Sequence, residues 1–246
     1  MGAAGAGVLV DAGLPGRVVE RRLRGAGFEP GAVRAVVVTH EHRDHLAGVG
    51  VWCRRYGVPA YLTEACLQAS QAVLGPAWLR GVDVRLFEAG RPFEAAGLGI
   101  HPFPTCHDAA DPVGLRVTDG QAWAGIATDL GFASGPVREA LGGVDILLLE
   151  SNHDEDRLWA GPYPWPLKQR IRSRHGHLSN RACAELVAEL LHPGLRAVVL
   201  GHLSEANNEP ALAYAGTRQV LEDAGAAGEV ALLVARQDRP GRVVGR

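Results

Sequence analysis

The chain has 246 residues, 47% of them hydrophobic, which is enough to bury a full core, and a single domain over 1–246 is the expected organisation. Its 25 Lys and Arg against 27 Asp and Glu leave a net charge of −2, which excludes a global attraction for nucleic acid or anionic membranes, so any polyanion has to be held by a local patch. Cys53, Cys66, Cys106 and Cys183 show no C-x-x-C spacing and follow no secretory signal, and no apolar run approaches the roughly 18 residues of a membrane span, so reduced thiols and a cytoplasmic chain are expected.

Short β-branched runs alternate with longer amphipathic stretches, punctuated by Gly and Pro, which is the pattern of layered α/β architecture. The pattern predicts strands over 8–11, 33–39, 58–62, 82–87, 97–105, 113–118, 121–128, 144–150, 196–201 and 229–234. It predicts helices over 16–25, 46–56, 63–74, 134–141, 178–191 and 209–224. Asp119-Gly120 favours a hairpin between 113–118 and 121–128, which disfavours a purely parallel sheet. Three prolines and two glycines in 159–176 predict an irregular first half for that stretch, and long irregular loops in compact domains are often functional.

The chemistry concentrates after the apolar run Val36-Val37-Val38-Thr39, where His40-Glu41-His42-Arg43-Asp44-His45 packs four candidate ligands into six residues. Imidazole and carboxylate suit divalent zinc, manganese or iron. Residues two apart on an extended segment point the same way, so His40 and His42 can close on one ion while Asp44 and His45, past the turn, face a second. Glu41 and Arg43 alternate with the ligands and should point away.

Two adjacent cations need more donors, and three residues stand at the ends of predicted strands: His107, Asp129 and His202. Taken singly, each has a bland alternative, respectively a surface His, an N-cap Asp ahead of 134–141, and a capping His. A carboxylate such as Asp129 can bridge two ions, which an imidazole cannot.

His40-x-His42-x-Asp44-His45 with His107, Asp129 and His202, and with Asp11 at the end of Val8-Leu9-Val10-Asp11, resembles the metallo-β-lactamase superfamily over nearly the whole chain. The resemblance implies an αββα sandwich of the α/β (α+β) class. It implies His40, His42 and His107 on one metal, Asp44, His45 and His202 on the other, and Asp129 bridging. Asp11 matches the family's buried acid that braces the metal-binding loop, an acceptor that fixes an imidazole tautomer; an ordinary turn Asp before Gly13 is the alternative. Such a metal pair lowers the pKa of a bridging water, so no protein nucleophile is required, and Asp44 and Asp129 stand at the chemistry. The absence of cysteine at the second-metal positions speaks against antibiotic-hydrolysing members.

The segment after Asp129 narrows the substrate. Lys168-Gln169-Arg170-Ile171-Arg172-Ser173-Arg174 is the most basic run in the chain, and Trp159, Tyr163 and Trp165 precede it. Cations for the backbone and aromatics for the bases are what a single-stranded nucleic-acid groove needs, so Lys168, Arg170, Arg172 and Arg174 are candidate contacts. A solvated basic loop is the bland reading. Glu150-Ser-Asn-His153-Asp, Tyr163-Pro-Trp, Leu167-Lys-Gln-Arg-Ile, Gly176-His177-Leu-Ser-Asn and Leu200-Gly-His202-Leu-Ser-Glu-Ala-Asn-Asn closely resemble the YycJ (WalJ) branch of the superfamily.

That branch is associated with 5′-to-3′ DNA exonuclease activity, so the resemblance implies phosphodiester cleavage, with DNA as the partner and no membrane. His177 would contact the scissile phosphate or protonate the leaving oxygen, and His153 would hold the same phosphate. The branch also implies further strands ahead of Val8, where this sequence supplies seven residues, so a sheet short of its first strands is expected. Competing expectations are a thioester or lactone hydrolase of glyoxalase-II type and a catalytically inactive regulator that kept the fold.

Overall fold

The computed structural model describes residues 2–3 and 5–245, in two compact units: Met1–Pro104 with Ala109–Gln121, and Thr105–Asp108 with Ala122–Arg246. The fold class is the mixed α/β expected from the alternating pattern.

The first unit is built on a five-stranded sheet, β1 (Gly2–Ala3), β2 (Ala6–Val10), β3 (Val33–Val37), β4 (Ala60–Leu62) and β5 (Val84–Leu86), in that spatial order. β1 pairs with β2 antiparallel and the remaining neighbours are parallel. The crossovers carry α1 (Gly16–Gly25), a 3-10 turn (Pro30–Ala32), α2 (Arg43–Leu46), α3 (Val49–Tyr56) and α4 (Glu64–Leu74). Parallel strands covered by helices read as near-continuous apolar runs, and Val36, Val37 and Val38 are accordingly buried, with Val36 and Val38 packed in one cluster with Leu46, Val49, Trp52 and Leu62. The same unit holds an antiparallel meander of β6 (Phe93–Ala95), β7 (Leu98–Pro104) and β8 (Val113–Thr118). A purely parallel arrangement is thus absent, as the pattern predicted.

The helix expected over 46–56 is two pieces. Gly48 sits where any Cβ would come 2.3 Å from the Leu14 carbonyl oxygen and 2.6 Å from that of Ala12, and its amide donates to Ala12 O at 2.7 Å. This contact with a distant turn breaks the helix and lets Asp44 and His45 ride on the short α2. β1 and β6 carry too few residues for a pattern to register.

The second unit places β9 (Trp123–Ala127), β10 (Ile146–Glu150), β11 (Ala197–Gly201) and β12 (Ala231–Val234) in the order β12-β11-β10-β9, all parallel. The register pairs Glu150 with Gly201 and Leu149 with Ala127, so three strands end level at their carboxyl ends, the edge where α/β folds set functional groups. Helices α5 (Gly135–Leu141), α6 (Glu155–Ala160), α7 (Trp165–Ile171), α8 (Asn180–Leu190) and α9 (Pro210–Asp223) complete it.

α6 and α7 correct the expectation of irregular chain in the first half of 159–176. Pro164 is the N-cap of α7 and Pro166 lies in its first turn, where no backbone N–H is needed for the helical ladder, so these prolines start a helix instead of preventing one. Among the described residues no helix is long and apolar enough to cross a membrane.

Candidate metal centre

In the first unit, strand β2 delivers Asp11 and β3 delivers Thr39 and His40. Asp11 has a left-handed backbone, with φ of 57°, one of four non-glycine residues of this kind among the described residues; Asp129 (58°) and His202 (55°) are two others. All three lie just past strand ends, and a strained backbone at such positions persists only where the surroundings over-determine it, as functional sites do. The Asp11 carboxylate accepts from Thr39 N and Thr39 Oγ1, each at 2.8 Å, and lies 2.8 Å from His45 Nδ1.

Because the Thr39 hydroxyl gives its proton to Asp11, it has only lone pairs to offer His40 Nδ1, 3.0 Å away, and the proton of that contact belongs to the histidine. One carboxylate therefore sets two imidazoles, His45 directly and His40 through Thr39, so that Nε2 of each is the nitrogen able to meet a metal. The His40 ring centroid lies 4.6 Å from that of His42 and 4.1 Å from that of His45. Asp44 is exposed, with a carboxylate oxygen 3.5 Å from His45 Nε2. Glu41 is buried, and its Oε1 accepts from Ala110 N at 2.8 Å, pinning the loop ahead of β8 instead of facing water.

In the second unit, His107, Asp129, Glu150, His177 and His202 gather at the level strand ends. His107 Nδ1 lies 3.0 Å from the Gly176 carbonyl, and its Nε2 lies 3.6 Å from Asp129 Oδ1. Asp129 Oδ1 is also 3.7 Å from His177 Nδ1 and 3.6 Å from His202 Nδ1. Asp129, Glu150, His177 and His202 each offer a donor atom within 4.8 Å of the others.

Glu150 is the residue that sequence reasoning left without a role. It is fully buried; Oε1 accepts from His177 Nδ1 at 2.8 Å and His202 Nδ1 at 2.7 Å, and Oε2 from Leu130 N and Leu178 N, each at 3.0 Å. With four donors on its two oxygens it is a brace for the imidazoles, not a metal ligand. Burial works to raise its carboxyl, but the bonds from His177 and His202 and the charge of those rings hold it well below the usual carboxylate range. The available signal was its place as the last residue of an apolar strand.

The same exchange acts on the rings. Burial works to lower His177, yet the bond to Glu150 and the charges of Glu150 and Asp129 raise it above the ordinary histidine value. Burial wins at His107, which is lowered despite Asp129 and the Gly176 carbonyl. Burial also pushes His153 down to about 4, so it is neutral near physiological pH, and its buried Nδ1 has no hydrogen-bond partner among the described residues. His177 is half-buried, whereas His153 is buried.

The basic run needs one correction. Lys168 is buried and its Nζ donates to the Trp159 carbonyl at 2.7 Å, so it secures α7 to α6 and does not belong with the exposed cations. Arg170, Arg172 and Arg174 are exposed. Arg170 pairs with Asp108, and Arg172 and Arg174 lie over the rings of Trp159 and Phe132 at 4.4 and 4.1 Å.

The donor chemistry fits divalent metal. His40, His45, His107 and His202 each engage Nδ1 with an oxygen, the arrangement that fixes a ligating imidazole. Two donors on one tetrahedral zinc at about 2.1 Å lie about 3.4 Å apart, close to the separations of His45 Nε2 from Asp44 and of His107 Nε2 from Asp129.

Comparison with known proteins places the chain in a family. The family model described as "Beta-lactamase superfamily domain" matches residues 7–203. The exodeoxyribonuclease YycJ of Bacillus anthracis is 33% identical over 218 residues, covering 89% of this chain and 82% of that protein. The exodeoxyribonuclease WalJ of Streptococcus pneumoniae serotype 2 is 37% identical over 210 residues, covering 84% and 77%. The metallo-beta-lactamase fold protein YhfI from Bacillus subtilis superposes with a TM-score of 0.70 at 19% identity, covering 96% of this chain and 86% of that one. With a match through both compact units and relatives above 30% identity, the chain belongs to the beta-lactamase superfamily, as a metallo-β-lactamase-fold hydrolase of the YycJ (WalJ) branch.

Proposed function

We propose that the chain is a dinuclear metal-dependent phosphodiesterase that degrades DNA as a 5′-to-3′ exonuclease. The observation that carries this reading is the fixing of Nδ1 on four imidazoles of the family's ligand set, which prepares Nε2 of each for a cation. By the resemblance to the superfamily, His40, His42 and His107 would hold one ion and Asp44, His45, His202 and Asp129 would serve the other side of the centre, while Asp11 and Glu150 brace the imidazoles through their hydrogen bonds. The single family model running through residues 7–203 is the ground for treating the chain as one functional domain. Zinc and manganese both suit the donors, and iron is compatible. When bound, two such ions lower the pKa of water to near neutrality and offset charge on the attacked phosphate.

The chain's own groups supply the rest. His177, held through Nδ1 by Glu150 and raised above the ordinary histidine value, is the group that delivers a proton to the leaving oxygen. His153, neutral, offers a hydrogen bond to the same phosphate without a competing charge. Arg170, Arg172 and Arg174 attract the backbone in a chain whose net charge would otherwise repel it. The relatives are named exodeoxyribonucleases, which favours DNA as the partner over a thioester. The four free cysteines fit a reducing compartment, and we place the chain in the cytoplasm on that ground.

The test is cleavage of 5′-labelled single- and double-stranded DNA by the purified chain with Mn²⁺ or Zn²⁺, beside Asp129→Ala and His177→Ala. Both variants should lose cleavage, Asp129→Ala together with bound metal and His177→Ala without losing it. Hydrolysis of a thioester with no DNA cleavage would replace this reading by the glyoxalase-II type. A chain that takes up neither metal would replace it by an inactive regulator.

A further inference from the structure

Two indoles of the second unit, Trp159 and Trp165, have no part in the chemistry above. The Trp165 side chain on α7 is 57% exposed, and its ring lies 5.0 Å from that of Trp159 on α6, centroid to centroid, at 31° between planes. Arg172 stacks its guanidinium on the Trp159 ring at 4.4 Å. A lone exposed indole would be ordinary, but this one is backed by a second indole and a cation, in a stretch, 161–180, that contains Lys168, Arg170, Arg172 and Arg174 and no Asp or Glu. Lys168, bonded to the Trp159 carbonyl, ties together the two helices that carry the rings.

The stack is also tied to the candidate centre. Ile171, at the end of α7, accepts from His177 N at 2.8 Å, and Asp108, beside His107, takes Arg170 and donates its N–H to His175 O at 3.1 Å. The exposed indole opens the short helix α7, and the last residue of that helix is the one bonded to His177 N.

Resting on the nuclease reading, we propose that Trp165 is the stacking platform for an unpaired nucleobase of DNA, so that the substrate is engaged as a single strand. The flat, preorganised ring loses little side-chain freedom on binding. Every base has a face to stack, so the contact is tolerant of sequence, while Arg172 and Arg174 meet the phosphates on either side. The bases inside a duplex are already stacked on their neighbours and give the indole nothing to cover; only a frayed or single-stranded segment does.

The experiment compares affinity for two phosphorothioate oligomers of roughly fifteen residues, the upper range of one single-strand site. One is oligothymidine and the other an abasic chain of the same length and charge, each binding the metal-loaded full chain at low temperature, where the sulfur-substituted linkages resist cleavage. The wild-type chain should prefer the thymidine oligomer, Trp165→Ala should weaken that binding by about tenfold while changing the abasic affinity by less than about twofold, and Trp165→Phe should restore most of it.

Equal binding of oligothymidine by Trp165→Ala and wild type overturns the platform, and so does an equal loss for the two oligomers, which would mean that the indole serves folding or a protein contact. The nuclease reading fails separately, if the wild-type chain with metal leaves DNA intact.

Discussion

Glu150 Oε1 lies 2.7 Å from His202 Nδ1, and the same oxygen lies 2.8 Å from His177 Nδ1. One buried carboxylate thus sets the tautomer of an imidazole assigned to metal and of an imidazole assigned to the substrate, and couples the two halves of the proposed chemistry.

That coupling predicts an outsized effect for Glu150. Glu150→Ala leaves the amides of Leu130 and Leu178 and two imidazole N–H groups without their acceptor in a buried place, at about 1–3 kcal/mol for each orphaned donor. We expect a fall in melting temperature and a drop in metal affinity of about ten- to hundredfold. Glu150→Gln, which keeps the shape but offers one acceptor oxygen, should recover the melting temperature more than the metal affinity. Equal recovery of both would show that Glu150 is only a packing element.

Asp11 should act on metal content as well as on stability. Asp11→Asn can keep an oxygen for Thr39 N at Oδ1, but it then presents an NH₂ where both Thr39 Oγ1 and His45 Nδ1 need the Oδ2 acceptor. The expected result is a loss of metal affinity of about ten- to hundredfold, read by competition with a chromophoric chelator. Unchanged affinity would reduce Asp11 to a turn residue.

Gly13 is the point where the Asp11 turn touches the ligand loop. A Cβ at Gly13 would lie 1.5 Å from the Asp44 carbonyl oxygen, so Gly13→Ala has to push the backbone of Asp44 and His45 away. Overpacking of this kind costs about 1–3 kcal/mol, and here the displacement falls on two assigned ligands. Both thermal stability and metal uptake should decline, whereas Gly31→Ala, with nothing within 4 Å of its Cβ, should leave both unchanged. Wild-type metal uptake by Gly13→Ala would contradict the assignment of Asp44 and His45.

The thiols separate by burial. Burial pushes Cys53 and Cys183 up to about 12 and raises Cys66 as well, while Cys106 is only half-buried. A thiol-reactive disulfide reagent at mildly alkaline pH should label Cys106 alone in the native chain, and Cys106→Ala should abolish the labelling. The three raised thiols stabilise the fold fully below the unfolded thiol value of about 8.5, and that stabilisation is lost as pH rises above it. Labelling of all four cysteines in the native state would refute this burial.

Much was legible in the sequence because its signals are local. Runs such as Val36-Val37-Val38 announce covered parallel strands, and a dense set of imidazoles and carboxylates past one of them announces metal, since few other uses place those groups together. The motifs around His153, His177 and His202 were specific enough to point to the branch of the family. What stayed hidden depends on partners far along the chain. Pro164 and Pro166 read as breakers until their place at a helix start was known, and Lys168 read as a phosphate contact until the Trp159 carbonyl took its ammonium.

Residue types and periodicity by themselves determined the class of fold and the metal-binding kind of chemistry, because these follow from which side chains exist and how they repeat, and the family followed from the resemblance of the motifs. Only the tertiary structure decided that Glu150 serves two histidines, that Gly48 divides a helix, and that two tilted indoles and a guanidinium meet. Hydrogen bonds and ring contacts of that sort form between residues whose separation along the chain carries no pattern, so their energies enter only once the backbone has closed around them.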